Sequence, residues 1–149
     1  MLTVANARAK ITKAMERTAS IEVSVSEVFG RVLAEELKSR RTQPPFDVSA
    51  MDGYAVRARD ISSVPATLKV VGTAHAGGSY SEILNSGEAV RIFTGAPVPM
   101  DADTIVIQED TTVAGDSVIV NEIEPERHIR SAGLDFNEGD ILLKPGHLL

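Results

Sequence analysis

Residues 44–56 read PPFDVSAMDGYAV, and the interpretation of the fold starts from this stretch. Two carboxylates, Asp47 and Asp52, stand with a serine and a glycine between a proline pair and an apolar run. Two carboxylates five residues apart face the same point only if the backbone bends between them. Pro44, Pro45 and Gly53 supply the backbone restrictions that suit such a bend.

The polar residues of this bend have two explanations. A carboxylate held there could coordinate a hard cation or act as a base. Alternatively, Asp47 and Ser49 hydrogen-bond to neighbouring backbone amides in an Asx-type turn, which is a common use of aspartate. Local chemistry alone favours the turn, so a functional interpretation needs support from the rest of the chain.

Beyond the bend, short apolar stretches are separated by Gly, Pro, Asp and Ser, which is typical of strands in a compact β-unit. The predicted strands are Leu68–Val71, Ala89–Phe93, Thr104–Ile107 and Ser117–Val120. Turn residues 114–116 predict that the last two of these strands form one hairpin. The β-rich domain is therefore predicted over residues 44–128.

The N-terminal residues have a helical pattern. Apolar residues recur there at three- and four-residue spacings, namely Val4, Ala7, Ile11, Ala14 and Met15. The alternation over residues 21–25 predicts a short strand, and Ser26 is placed to N-cap a second helix that runs to Leu33. We predict a helical and linker domain over residues 1–43.

Composition argues against several classes of function. The 149 residues carry a formal charge of −6, contain no cysteine and only three widely separated histidines. These counts disfavour nucleic-acid binding, disulfides and a histidine-rich metal site. Apolar runs fall far short of the roughly 18 residues of a membrane span, and the N-terminus has no apolar signal core. We therefore expect a cytoplasmic protein that binds neither nucleic acid nor membrane.

Two further segments offer functional groups. In RIFTGAPVP, residues 91–99, a strand that runs into Thr94 and Gly95 offers a hydroxyl and a backbone amide to an anion. In HIRSAGLD, residues 128–135, Arg130 could bind a phosphate or carboxylate through its planar guanidinium. The alternatives are an ordinary strand end and an arginine paired with Glu126 or Asp135. Each segment alone is weak evidence for a functional site.

Taken in order, SAMDGYA (49–55), TGAPVP (94–99) and IRSAG-D (129–135), with LLKPGHLL (142–149), closely resemble one family. That family is the molybdopterin molybdotransferases, which include bacterial MoeA and the related E domains such as that of gephyrin. The resemblance is to the N-terminal half of these proteins. The apolar end at Leu148 and Leu149 adds the expectation that the chain is a fragment of a longer protein.

The resemblance implies an α+β fold with a small N-terminal helical domain and a β-rich, barrel-like domain, within a longer, elongated multidomain protein. It implies that the helical domain over residues 1–43 is completed by residues 129–149 and by chain beyond them. It implies an enzyme that inserts molybdate into adenylylated molybdopterin and releases AMP, with Mg²⁺ assisting, as a homodimer whose active site lies in a cleft between subunits. Because the family's pterin-binding domain follows this region, we expect residues 1–149 alone to be inactive.

By position, the resemblance assigns catalytic roles to Asp52 and Thr94. It assigns substrate binding to four residues, Ser49, Gly53, Gly95 and Arg130, and no protein metal ligand. Oxyanion substrates need hydroxyl, amide and guanidinium donors, whereas a carboxylate repels them. We therefore expect Asp52 to orient Mg²⁺, water or a neighbouring donor rather than to contact molybdate.

Two other functions compete with this one. A non-catalytic dimerisation or scaffold module is the first alternative, since animal relatives of the family combine enzymatic and partner-clustering roles. A generic small-ligand β-domain is the second, but it leaves the three ordered motifs unexplained.

Overall fold

The computed structural model describes residues 2–123 and 127–149, which are mostly β with one α-helix. Helix α1 spans Val4–Ala14. The strands are β1 (Leu37–Lys38), β2 (Val48–Ser49), β3 (Gly53–Val56), β4 (Ala66–Ala74), β5 (Glu88–Ile92), β6 (Thr104–Ile107), β7 (Thr111–Ala114), β8 (Ser117–Val120), β9 (Ile129–Arg130) and β10 (Ile141–Leu143). The chain divides into two compact units: Lys38–Asp140, and the segment up to Leu37 together with Ile141–Leu149.

The larger unit contains a curled six-stranded sheet with strand order β6-β3-β5-β4-β8-β7. All neighbours are antiparallel except β4 and β5, which run parallel. A register shift between Val70 and Gly72 interrupts the β4–β5 ladder. A short ladder in the same unit pairs β2 with β9.

An apolar cluster lies on each face of the sheet, because successive side chains of a strand point to opposite faces. On β3, Tyr54 and Val56 belong to one apolar cluster and Ala55 to the other. The first cluster is completed by Ile61, Leu68, Ala89, Val106, Val118 and Val120. The second contains Ala74, Leu84, Val90, Ile92, Ala96 and Ile105. The core is therefore aliphatic, as expected from an aromatic content of only 4%.

The four strands predicted in the β-rich domain are confirmed, but the predicted hairpin is wrong. Strand β6 pairs with β3, and β8 forms its hairpin with β7, which the sequence prediction missed. A 3₁₀ turn at Gln108–Asp110 separates β6 from β7. Gly115 makes the tight β7–β8 connection with a φ of 65°, in the left-handed region that glycine adopts readily.

In the smaller unit, the first predicted helix is confirmed and the second is wrong. The Thr3 hydroxyl caps α1 by accepting a hydrogen bond from the Asn6 amide at 3.3 Å. Instead of a helix from Ser26 to Leu33 there is only a 3₁₀ turn at Val25–Glu27. The predicted strand over residues 21–25 is also absent from the described chain.

Backbone pairing explains the missing helix. The Gly30 amide donates to the Leu149 carbonyl and the Leu33 amide to the His147 carbonyl, both at 2.8 Å. These amides would have bonded four residues back in a helix. The C-terminal segment takes them instead, and Gly30 adopts a φ of 75°.

The predicted fold class is confirmed as α+β with a barrel-like sheet. The domain limits at residues 43 and 128 stay a prediction. No helix within residues 2–123 and 127–149 has the length and apolarity needed to cross a membrane.

The Asp60 carboxylate forms a buried ion pair with Arg57 and fastens the turn after β3 to the loop before β5. Arg57 donates to one oxygen of Asp60 from Nε at 2.8 Å and from a terminal nitrogen at 2.6 Å. The Gly87 amide and the Ser86 hydroxyl also donate to this carboxylate. Burial raises the pKa of Asp60, but these hydrogen bonds and the Arg57 charge outweigh it, so the pKa lies below its ordinary value.

We predict that Asp60→Asn lowers the free energy of unfolding by about 2–4 kcal/mol, because Arg57 is left buried without its counter-charge. Since the folded-state pKa of Asp60 is lowered, its carboxylate contributes fully to the free energy of unfolding at pH values above the ordinary carboxyl pKa. This contribution is lost as the pH falls through the lowered value. Urea unfolding at several pH values measures this loss. Asp116→Asn, on an exposed turn, is the matched control, and equal effects of the two substitutions would contradict the prediction.

Candidate functional site

Antiparallel pairing brings two of the motif loops to one end of the sheet. Gly53, the first residue of β3, is the register partner of Ile92, the last residue of β5. Asp52 immediately precedes β3, and Phe93 and Thr94 immediately follow β5. The SAMDGYA and TGAPVP segments, which are far apart in sequence, therefore meet at this edge.

The contact between the two loops is a pair of hydrogen bonds from Thr94 to Asp52. The Thr94 backbone amide and its hydroxyl each donate to Oδ1 of Asp52 at 2.7 Å. The hydrogen bond from the Thr94 amide is the largest cause of the lowered pKa of Asp52, and the hydrogen bond from the Thr94 hydroxyl is the second largest. Slight burial raises this pKa, and the charge of Arg91 lowers it further. Asp52 is therefore a fixed, ionised carboxylate at neutral pH.

Arg91 is a member of this site that the sequence analysis did not assign. Its guanidinium donates to the Gly53 carbonyl at 2.9 Å and to Oε1 of Gln108 at 2.7 Å. It also lies over two rings, 5.2 Å from the centroid of Tyr54 and 4.8 Å from that of Phe93. An arginine inside the otherwise apolar stretch Ala89–Phe93 was the signal that could have revealed it.

Position 53 requires a glycine because the backbone of the neighbouring strand comes very close to it. A Cβ atom at this position would lie 2.0 Å from the Val106 carbonyl oxygen on the neighbouring strand. No side chain fits there without separating β3 from β6. This packing requirement accounts for the glycine on structural grounds, and its predicted role in substrate binding stays a prediction.

Ser49 and Gly95 clasp the two loops together. The Gly95 amide donates to the Ser49 carbonyl at 2.8 Å, and the Ser49 amide donates to the Ala96 carbonyl at 2.9 Å. The buried Ser49 hydroxyl bonds to the backbone of Met51. The amide of Gly95, expected to contact an anion, is thus engaged within the protein, as are the amide and hydroxyl of Thr94.

Arg130 lies on β9 and pairs with Val48 of β2, next to Ser49. Its side chain forms an ion pair with Asp135 at 2.7 Å, in which the side chains of Arg130 and Asp135 are 46% and 42% exposed. Such an exposed pair contributes little to stability, so a ligand anion can displace the carboxylate at small cost. The other proposed partner, Glu126, lies outside the described residues.

Asp47 fastens the Arg130 segment to the opening bend. Its Oδ1 accepts a hydrogen bond from the Ala132 amide at 2.8 Å, while its backbone carbonyl accepts one from the Val98 amide at 3.0 Å. Asp47 therefore shapes the loops, and does so across 85 residues of sequence rather than in a local Asx turn.

A self-contained magnesium site does not fit the part of the chain that the structure describes. Within it, no group of three His, Cys, Asp or Glu residues is arranged to hold a metal ion. A cavity of about 10 Å³, lined in part by Ile107, Asp110 and His128, has room for little more than one water molecule. The SAMDGYA and TGAPVP loops instead present a surface that carries the Asp52 carboxylate, and the half-buried Arg91 guanidinium lies beside it.

Residues 2–149 match the sequence pattern of the MoeA N-terminal region, domains I and II. The chain belongs to the MoeA family. It is 38% identical over 149 residues to a molybdopterin molybdenumtransferase of Haemophilus influenzae, covering 98% of this chain and 37% of that protein. Molybdopterin molybdenumtransferase 1 of Mycobacterium tuberculosis is 32% identical, with 100% and 40% of the two chains covered.

Solved MoeA structures agree with this assignment. The molybdopterin biosynthesis moeA protein of Pyrococcus horikoshii matches with a TM-score of 0.78 and 32% identity, covering 85% of this chain and 35% of that one. The chain therefore spans between a third and two fifths of the length of these MoeA relatives. The family predicted from the motifs is confirmed.

We predict that Thr94→Val raises the pKa of Asp52 towards its ordinary value, because the hydroxyl bond is lost while the backbone amide remains. The pH titration of the Asp52 carboxyl carbon by NMR measures the change. Thr94→Ser keeps the hydroxyl and is expected to titrate like the original protein. An Asp52 titration that is identical in the valine variant would show that the hydroxyl does not stabilise the carboxylate.

Proposed function

We propose that this chain is the N-terminal part of a molybdopterin molybdotransferase, which inserts molybdate into adenylylated molybdopterin and releases AMP. Membership of the MoeA family and the names of the relatives support this assignment. The observation that carries this proposal is the pair of hydrogen bonds that Thr94 donates to Asp52. It joins the two loops that bear the family motifs into one exposed, charged site.

The chemistry proposed for Asp52 follows from its charge. An ionised carboxylate repels molybdate and phosphate groups, so Asp52 orients a water molecule, a substrate N–H or a bound cation. Thr94 holds one carboxylate oxygen in place. The donors that would bind the oxyanions are Arg130 and residues outside this chain, because the Gly95 amide already bonds to Ser49.

Mg²⁺, the homodimer and the inter-subunit cleft belong to this proposal as implications of the family resemblance, and the cytoplasmic location belongs to it as an expectation from composition. For Mg²⁺, the described residues supply no cluster of ligands, so no reaction step is assigned to it. Mg²⁺ commonly binds one or two carboxylates together with substrate phosphates and water, and most of its ligands would then come from the substrate.

The proposal is tested in a chimera in which residues 1–149 replace the matching part of the Haemophilus influenzae relative. AMP release from adenylylated molybdopterin in the presence of molybdate is the assay. We predict that Asp52→Asn lowers kcat by about 100-fold or more, a typical contribution of a positioned acid or base. Unfolding of the variant is expected to match that of the unsubstituted chimera.

Asp116→Asn removes a carboxylate from an exposed turn and serves as the control. Residues 1–149 alone are expected to release no AMP, because they match less than half of the relatives' length. AMP release by the isolated chain would refute this part of the proposal. An Asp52→Asn chimera with kcat within twofold of the unsubstituted chimera would refute the catalytic role.

The second candidate function is a non-catalytic dimerisation or scaffold module, and one observation favours it. Helix α1 has no buried residue, and in the same unit Phe29 is 94% and Val25 86% exposed. Exposed apolar side chains in such number are typical of surfaces that bind a partner. If this function is correct, Asp52→Asn leaves AMP release intact, and sedimentation of residues 1–149 shows self-association.

A further inference from the structure

Arg91 joins three parts of the larger unit through one side chain. From β5 it reaches the Gly53 carbonyl on β3 and Oε1 of Gln108 in the 3₁₀ turn that follows β6. The rings of Tyr54 and Phe93 lie beside its guanidinium. A half-buried guanidinium with two directed hydrogen bonds and two ring contacts has a fixed position.

Three of these contacts, those to Gly53, Gln108 and Phe93, are adjacent to the Asp52–Thr94 pair. Gly53 follows Asp52 in the chain, and Phe93 precedes Thr94. The backbone amide of Gln108 donates to the carbonyl oxygen of Asp52 at 3.1 Å. These three groups held by Arg91 are therefore one residue or one hydrogen bond away from Asp52 or Thr94.

We propose that Arg91 is a positioning residue for the Asp52 site. It holds the backbone on both sides of the site, so that Asp52 and Thr94 keep their relative geometry. It acts through Gly53, Gln108 and Phe93, and requires no contact with substrate. The importance of this geometry for molybdate insertion rests on the proposed function, whereas the positioning itself can be measured without it.

Lysine cannot replace this arrangement, although it keeps the positive charge. A lysine ammonium is a compact point charge without the planar fork that reaches two acceptors while it lies beside aromatic rings. Arg91→Lys therefore separates geometry from charge. Arg91→Gln removes both, and Arg59→Gln removes one positive charge from an exposed position elsewhere in the same unit.

Amide hydrogen exchange of residues 1–149, followed by NMR, is the direct test. The reporters are the amides of Gln108 and Thr94, which both donate to Asp52. We expect both amides to exchange about tenfold faster or more in Arg91→Lys and Arg91→Gln, through local opening of the site. The amide of Val118 in the β7–β8 hairpin is expected to exchange at its original rate.

Original exchange rates at both reporters in Arg91→Lys would overturn the proposal, because charge alone would then suffice. Faster exchange at Val118 as well would also overturn it, because the effect would be general destabilisation. If Arg91→Gln fails to fold, Arg91→Lys and Gln108→Ala carry the test, since Gln108→Ala removes one acceptor without a charge change. Arg59→Gln is expected to match the original protein, and faster exchange there would assign the effect to net charge.

The chimera gives a second readout. Arg91→Lys is expected to lower kcat at least tenfold while KM changes less than twofold, as for a residue that positions reacting groups. A change confined to KM would indicate substrate binding and overturn the positioning role. If the unsubstituted chimera releases no AMP, the proposed function fails, while the exchange experiment still decides the role of Arg91.

Discussion

Antiparallel pairing of β3 with β5 is the interaction on which the candidate site depends. It aligns Gly53 with Ile92, so the residue before one strand and the residues after the other share one edge of the sheet. On the other side of β3, the Val106 carbonyl comes so close that only glycine fits at position 53. The glycine of the MDG motif thus permits the sheet packing that places the neighbouring aspartate.

The loops at this edge use most of their hydrogen-bonding groups on one another. Amides of Thr94 and Gly95 bond to Asp52 and Ser49, and Asp47 bonds to the segment that carries Arg130. These hydrogen bonds hold the loops in one arrangement, and such an arrangement is the condition for electrostatic preorganisation. This arrangement also offers a ligand a negative carboxylate more readily than a set of free donors. The proposed division of labour, with oxyanion binding assigned to Arg130 and to other regions, follows from this count of donors.

The two compact units differ in the interactions that stabilise each of them. The larger unit has two aliphatic clusters and a buried Arg57–Asp60 pair. The smaller has an exposed helix and a set of backbone hydrogen bonds between residues 30–33 and the last residues of the chain. The first is typical of a self-sufficient core, whereas exposed apolar residues such as Phe29 indicate that the second has surface available for a partner.

The sequence by itself determined the fold class, helix α1, four strands of the sheet and the family, because these follow from local periodicity and from motifs in a fixed order. It also marked Asp52, Thr94 and Arg130 as candidates. Only the tertiary structure decided the pairing of β6 with β3, the loss of the second helix and the inclusion of Arg91 in the site. Each of these depends on groups far apart in the chain: a C-terminal carbonyl that takes the Gly30 amide, or a strand that brings Gln108 and Gly53 within reach of one guanidinium. Local patterns carry no information about such partners, because backbone hydrogen bonds and close approach are set by the register of the strands and not by neighbouring residues.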